Sequence, residues 1–433
     1  MLIQRAVTLE GAAVDLRVGG SIDEVADTLT PRSGEDVLDA AGGTVLPGLH
    51  DHHVHLFSAA AAATSLRVGP PQVRDRDGLA AALASAEAGE DGWIRAVGYH
   101  DSVAGPLDRG VLDAVAPAVP LRVQHRSGVL WILNSAGLER VGLAEHPDGR
   151  LRSTDSWADA LGRSETSLAD LSERLSRYGV TGITDATPDL AIADILQLSE
   201  LHRRGELRQR VHCLAPGKRI LHDDALDLQQ LVGWITDRHR DAHPVAIHCV
   251  TAAQLLVTIA ALREAGCRPG DRIEHAAVVP SDCVGDVAEL GVTVVTQPNF
   301  VAERGDQYLD EIPEAEHGQL WRVASLLAVG VPVALSTDMP FGNANPWAAM
   351  RAAVHRVTAS GAVLGIDESV SARTALTMFL GRPAQPTHLR TLEAGQPADL
   401  CVLSVPPATA FAELDAGMVA ATVVSGQMVY AAG

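Results

Sequence analysis

The chain has 433 residues, 47% hydrophobic and 20% charged, which excludes a disordered chain and allows one large core or several smaller ones. Its formal net charge of −20 argues against nucleic acid or an anionic membrane as partner, because both are polyanions. Only 3% of residues are aromatic, so Ala, Val and Leu must fill much of the interior.

Residues 1–20 alternate apolar and polar positions and end at Gly19-Gly20, which reads as a strand and turn, not a secretory leader. Short β-like runs continue to Val45, broken at Pro31 and Gly42-Gly43. After the run into His55, strand candidates lie at 93–98, 121–125, 181–185, 210–214, 245–248, 272–275, 292–296 and 332–336. Helical spacing fills the intervals. In 165–178, Leu168, Leu171 and Leu175 recur every three or four residues and the pattern stops at Gly179; 224–240 and 251–265 behave alike. Residues 399–404 and 421–430 are again β-like, and chain ends of one style commonly pair into one small sheet domain.

Alternating β and α segments over about 300 residues predict parallel strands joined by crossover helices, and eight such units close into a barrel. The region 93–125 holds one strand too many, which reads as an insertion or a wandering second unit. No window carries about 18 apolar residues free of charge, so no membrane span is expected. Cys213, Cys249, Cys267, Cys283 and Cys401 are odd in number and lack CxxC spacing, as free thiols in a reducing cytoplasm would be.

The chemistry concentrates at strand ends. In Leu46-Pro-Gly-Leu-His-Asp-His-His-Val-His55, alternation puts His53 and His55 on one face and His52 on the other. His248, His275 and Asp338 each close or follow a later strand candidate. A strand-end histidine is as often a structural hydrogen-bonder, yet a barrel brings the carboxyl ends of its strands to one rim. Imidazoles with a carboxylate there suit Zn²⁺ or a neighbouring first-row divalent ion. Lys218, just past strand 210–214, is the only lysine among 34 Lys and Arg. It could be drift, or a site needing an amine that loses its proton, which arginine does not.

The chain resembles the amidohydrolase superfamily of metal-dependent hydrolases through Pro47, Gly48, Asp51, His53 and His55. It is most similar to the branch containing N-substituted formamide deformylase, the YtcJ-like amidohydrolases. The matching runs are Val97-Gly-Tyr99, Leu112-Asp-Ala-Val-Ala-Pro117, Asn134-Ser-Ala-Gly-Leu138, Gly179-Val-Thr-Gly-Ile-Thr-Asp185, Ile273-Glu-His275, Gln297-Pro298, Ser336-Thr-Asp338 and Asn345-Pro-Trp347. The resemblance implies an α/β fold: a (β/α)8 TIM-like barrel over 47–387, and a small β-sandwich built from both termini, 1–46 and 388–433. It implies two divalent metal ions, zinc first, with Mn, Fe or Co also accepted by such donors. His53 and His55 would hold the more buried ion and His248 and His275 the second. Lys218, carboxylated by CO₂, would bridge them, and Asp338 would bind the first ion and shuttle protons.

The implied activity is cleavage of a C–N bond by metal-activated hydroxide, on a small N-substituted amide, formamide or cyclic amide, with a homodimer as an admitted assembly. Candidate substrate contacts are His100, His125, Arg126 and Asn343, although Arg126 also suits a surface ion pair and Asn343 a turn. Two departures stand out. The chain is short for the branch, as if an inserted lid were trimmed. Where the branch carries histidine after Arg-x-Gly, this chain reads His125-Arg-Ser-Gly-Val129, so that contact is missing or moved to His125. A mononuclear deaminase of the superfamily is the alternative, but its glutamate three residues after the fifth-strand histidine is Thr251 here. A non-catalytic scaffold would have shed ligands, and a metal-free isomerase or lyase would not need them. The acidic stretch 303–316 reads as a mobile flap or solvated loop.

Overall fold

The computed structural model describes residues 1–116, 118–152, 156–161, 167–188 and 190–433. It divides into two compact units, Met1–Leu56 with Leu168–Gly433, and Phe57–Ser167.

The first unit is organised around two ladders of parallel strands. One runs Arg210–Cys213, Val180–Asp185, Leu49–Val54; the other runs Lys218–Arg219, Ala246–Cys249, Arg272–His275, Thr293–Thr296, Val333–Leu335. Backbone bonds continue past the last ladder strand to the Leu49–Val54 segment: Asp338 N donates to His53 O at 3.0 Å and His55 N to Met339 O at 2.9 Å. Most of these strands are buried on both faces, although several carry polar side chains into the interior.

The helices between them follow from capping and spacing. Asp227 accepts from Gln230 N to start Leu228–Arg240, which buries Leu231, Ile235 and His239 along one stripe. Thr251 does the same for Ala252–Ala265, which buries Leu255, Ile259 and Leu262 and ends at Gly266 with φ 81°. Of the predicted helix 165–178, the structure forms Ala169–Arg177, with Leu171 and Leu175 buried, while residues 165 and 166 lie outside the described residues.

The structure corrects one expectation and sharpens two others. Lys218 lies just past the strand Arg210–Cys213, as expected, and opens a two-residue strand of its own, paired with Ala246–Cys249. Pro216 has no N–H to donate to a ladder. At Gly217 a side chain would collide with the Pro244 carbonyl oxygen, so the chain turns tightly there and no helix intervenes. The stretch 303–316 is not a loop: it belongs to the helix Asn299–Glu311, which buries Phe300 and Val301, and the 3₁₀ turn Glu314–Gln319. Strands 94–99 and 121–125, in the region read as an insertion, form no part of the parallel ladders. They pair within Phe57–Ser167, in a mixed sheet ordered Arg150–Arg152, Leu130–Leu133, Leu121–His125, Ile94–Tyr99, Leu66–Arg67. That unit has its own cores, one around Leu79, Tyr99, Leu121 and Ile132 and one around Trp93, Trp131 and Trp157.

The chain ends form two four-stranded sheets. Ile22–Ala26, Ala13–Val18, Leu2–Val7 and Val37–Asp39 make the first; Gln427–Ala431, Val419–Val424, Leu400–Leu403 and Val45–Pro47 make the second. Their inward residues, including Ile3, Leu16, Val45, Leu400, Val402 and Val423, share one core. Among the described residues no helix is long and apolar enough to cross a membrane.

Candidate metal centre

His53 and His55 leave the strand Leu49–Val54 on one side, and Asp338 follows the strand Val333–Leu335. His53 Nε2 lies 3.7 Å, and His55 Nε2 3.6 Å, from Asp338 Oδ1. One ligand atom from each of the three falls within 4.8 Å of the others. His275 packs on His53 with ring centroids 4.6 Å apart, and on His248 at 4.5 Å. His275 Nδ1 is 3.9 Å from Asp338 Oδ2. Lys218, only 4% exposed, interacts electrostatically with all four of these imidazoles and with Asp338. The six residues expected to hold metal are thus brought to one place.

Their atoms fit a cation. His53 Nε2, Asp338 Oδ1 and Lys218 Nζ are buried without a hydrogen-bond partner among the described residues. Leaving one such atom unmade costs about 1–3 kcal/mol, so three aimed at one spot mark something to be bound there. Burial holds His53, His248 and His275 well below the usual imidazole range and His55 at about 3, keeping their nitrogens neutral as metal ligands require. Burial also lifts Asp338 to about 8 and lowers Lys218 to about 8.

The outer ring nitrogens are anchored. His53 Nδ1 bonds to Glu274 Oε2, His275 Nδ1 to Gln297 Oε1 at 2.8 Å, and His55 Nδ1 to Thr187 Oγ1 at 3.3 Å. Each bond turns the Nε2 lone pair inward. Glu274 is completely buried and is paired with Arg272: Arg272 Nε lies 2.6 Å from Oε1, and Nη2 donates to Oε2 at 3.1 Å. Gln297 is fixed in turn by donating to Ser336 Oγ at 2.8 Å. Asp51 accepts from the Thr337 backbone N at 3.1 Å and from its hydroxyl, tying the segment before His53 to the one before Asp338.

Sequence reasoning missed Glu274, Arg272 and Gln297. A signal existed, since Arg272 and Glu274 alternate onto one face of their strand. By the same rule His275 should face away from Glu274. Its left-handed φ of 69°, with 45° at Ala276, ends the alternation and lets both neighbours serve the site; Asp338 is likewise left-handed at 54°.

The expected substrate contacts lie on other segments of the chain. Asn343 is exposed, and its Oδ1 accepts from Asn345 N at 3.0 Å ahead of the helix Pro346–His355. His100, His125 and Arg126 belong to Phe57–Ser167, where the two imidazoles lie 5.6 Å apart. His100 Nδ1 accepts from Ser102 N, His125 Nδ1 accepts from Ser127 N, and Arg126 N donates to Tyr99 O. Thr251 is a helix cap whose hydroxyl donates to Asp223.

A family model described as the amidohydrolase family matches residues 36–430. N-substituted formamide deformylase of Arthrobacter pascens is 26% identical, with 98% of this chain and 95% of that protein aligned. Among solved structures, an uncharacterized metal-dependent hydrolase from Pyrococcus horikoshii OT3 superposes with a TM-score of 0.72 at 20% identity, covering 94% of this chain and 97% of its own. A 5-methylcytosine deaminase from Klebsiella pneumoniae gives 0.57 at 15% identity, covering 100% and 98%. These likenesses give the fold as a TIM-like barrel with a small extra domain. The chain belongs to the amidohydrolase family and is a metal-dependent hydrolase acting on C–N bonds.

Proposed function

We propose that the chain hydrolyses the C–N bond of a small N-substituted amide, formamide or cyclic amide at a binuclear site. His53, His55 and Asp338 would hold one divalent ion and His248 and His275 the other, zinc first, with Lys218 carboxylated by CO₂ between them. The observation that carries this is the convergence of His53 Nε2, Asp338 Oδ1 and Lys218 Nζ, buried and unpartnered, from three different strands or strand ends. Bound divalent ions acidify water and polarise a carbonyl.

The protein's own groups do the rest. Asp338 takes the proton of the attacking water and returns it to the leaving nitrogen, as general base and then general acid. Glu274, Gln297 and Thr187 hold three imidazoles in the orientation that keeps Nε2 inward. Lys218 loses its proton near pH 8, and only the neutral amine takes up CO₂. Thr251, where a deaminase of this superfamily needs glutamate, caps a helix instead, which favours amide hydrolysis over deamination.

In this reading 47–387 is the catalytic (β/α)8 barrel, carrying Phe57–Ser167 as an insertion, and 1–46 with 388–433 form the β-sandwich. The enzyme acts on a small molecule in the cytoplasm, where its five unpaired thiols stay reduced, and as a homodimer. The test is a library of amides, formamides and cyclic ureas offered to protein reconstituted with Zn, Mn, Fe or Co in bicarbonate. C–N cleavage that vanishes with chelation supports the reading. Full activity from metal-free protein rejects it.

A further inference from the structure

One cation beside the site has no task in the chemistry above. Arg304 stands on the helix Asn299–Glu311, half-buried, with its guanidinium carbon 4.0 Å over the Phe300 ring. Its Nη2 donates to the Phe341 carbonyl at 2.7 Å. Phe341 is the end of a tight turn from Asp338, its N donating to Asp338 O at 2.8 Å, and its ring stands edge-on to His55 at 5.4 Å. Arg304 is thus held one turn away from the carboxylate and imidazole of the centre. Among the described residues it forms no ion pair, and its hydrogen bond is the one to Phe341. Its charge reaches Asp338, where it acts against burial more strongly than Lys218 does.

A guanidinium packed on an aromatic face and pinned at one nitrogen is pre-organised, with remaining N–H groups disposed to take a planar anion. The charge of Arg304 acts on Glu303 as well as on Asp338, but among the described residues it makes no ion pair with either, and a substrate anion in direct contact would offset the cost of holding a cation there. We propose that Arg304 binds a carboxylate of the substrate, so that the amide cleaved belongs to the class of N-acylated amino or ureido acids. The idea rests on the hydrolase reading for the scissile bond but not for the anion.

The experiment separates the two. Zinc-reconstituted enzyme is given N-formyl- and N-acetyl-leucine alongside their neutral primary amides, and formate or acetate release is measured together with equilibrium binding by calorimetry. Wild type should favour the carboxylate member by roughly 10- to 100-fold in kcat/KM and in Kd, the span of a charge-assisted hydrogen bond. Arg304→Gln should abolish that ratio, and Arg304→Lys should keep part of it. Equal treatment of both members by wild type overturns the proposal, as does a ratio that survives Arg304→Gln. If Arg304→Gln weakens both members equally, Arg304 merely holds the turn to Phe341 and the proposal also fails. Should that variant not fold, judged by circular dichroism, the wild-type ratio and the lysine variant decide. Binding preference without any cleavage would fault the hydrolase reading and leave the anion site standing.

Discussion

The strand Leu49–Val54 and the residue after it hold four histidines in two pairs, and the pairs behave differently. His50 and His52 lie with rings 4.7 Å apart, and His50 Nε2 is hydrogen-bonded to Thr184 Oγ1. Burial and the charges of Arg272 and Arg390 hold both below the ordinary imidazole range, and His52 adds to the shift of His50. His53 and His55 are as deeply desolvated, yet they converge on Asp338, and His53 leans on Glu274. Imidazoles alone do not make a metal site. What separates the pairs is direction: His50 turns to Thr184 and packs beside His52, whereas His53 and His55 converge with Asp338.

The comparison can be broken at its strongest point by Asp338→Asn. Metal content should stay nearly intact while kcat falls by at least about 100-fold, read by elemental analysis beside steady-state kinetics. Turnover like wild type would remove Asp338 from proton transfer. Next, Glu274→Gln keeps the shape but weakens the acceptor for His53 Nδ1–H and strands Arg272; zinc affinity, measured by competition with a chromophoric chelator, should drop roughly 10- to 100-fold. An unchanged affinity would mean that His53 orients itself. Lys218 gives a smaller, graded effect. Burial places its amine near 8, so the neutral form is dominant above that pH and falls about tenfold for each unit below it. The carbamate signal of metal-free protein in ¹³C-bicarbonate should follow this curve, strong at pH 8.5 and nearly gone at pH 6, and a pH-independent signal would contradict it. The smallest change is expected from His52→Leu. This replacement removes two buried, unpartnered nitrogens, so metal stoichiometry should hold and stability by urea unfolding should shift by no more than about 1 kcal/mol. Loss of metal from that variant would erase the distinction between the pairs.

Much of this was legible in the residues. Alternation in 49–54 separated His53 from His52, and the β-like runs at 245–248, 272–275 and 292–296 sit where strands form. Local pattern failed where distant contacts decide. Glu274 and His53 are 221 positions apart, and no spacing rule links them. The Lys218–Arg219 strand is too short for any periodicity to register. Ile94–Tyr99 and Leu121–His125 are parallel neighbours with two short helices between, indistinguishable by composition from barrel units; only the sheet they join tells them apart.

The left-handed backbones of His275 and Asp338 constrain how this protein could decay. L-residues with branched β-carbons fit that conformation poorly, while glycine, asparagine and aspartate tolerate it. A descendant that abandoned catalysis but kept its fold should therefore show Gly or Asn at these two positions, and seldom Val or Ile. Such a substitution bias would let extinct copies be told apart from merely divergent ones by reading a genome.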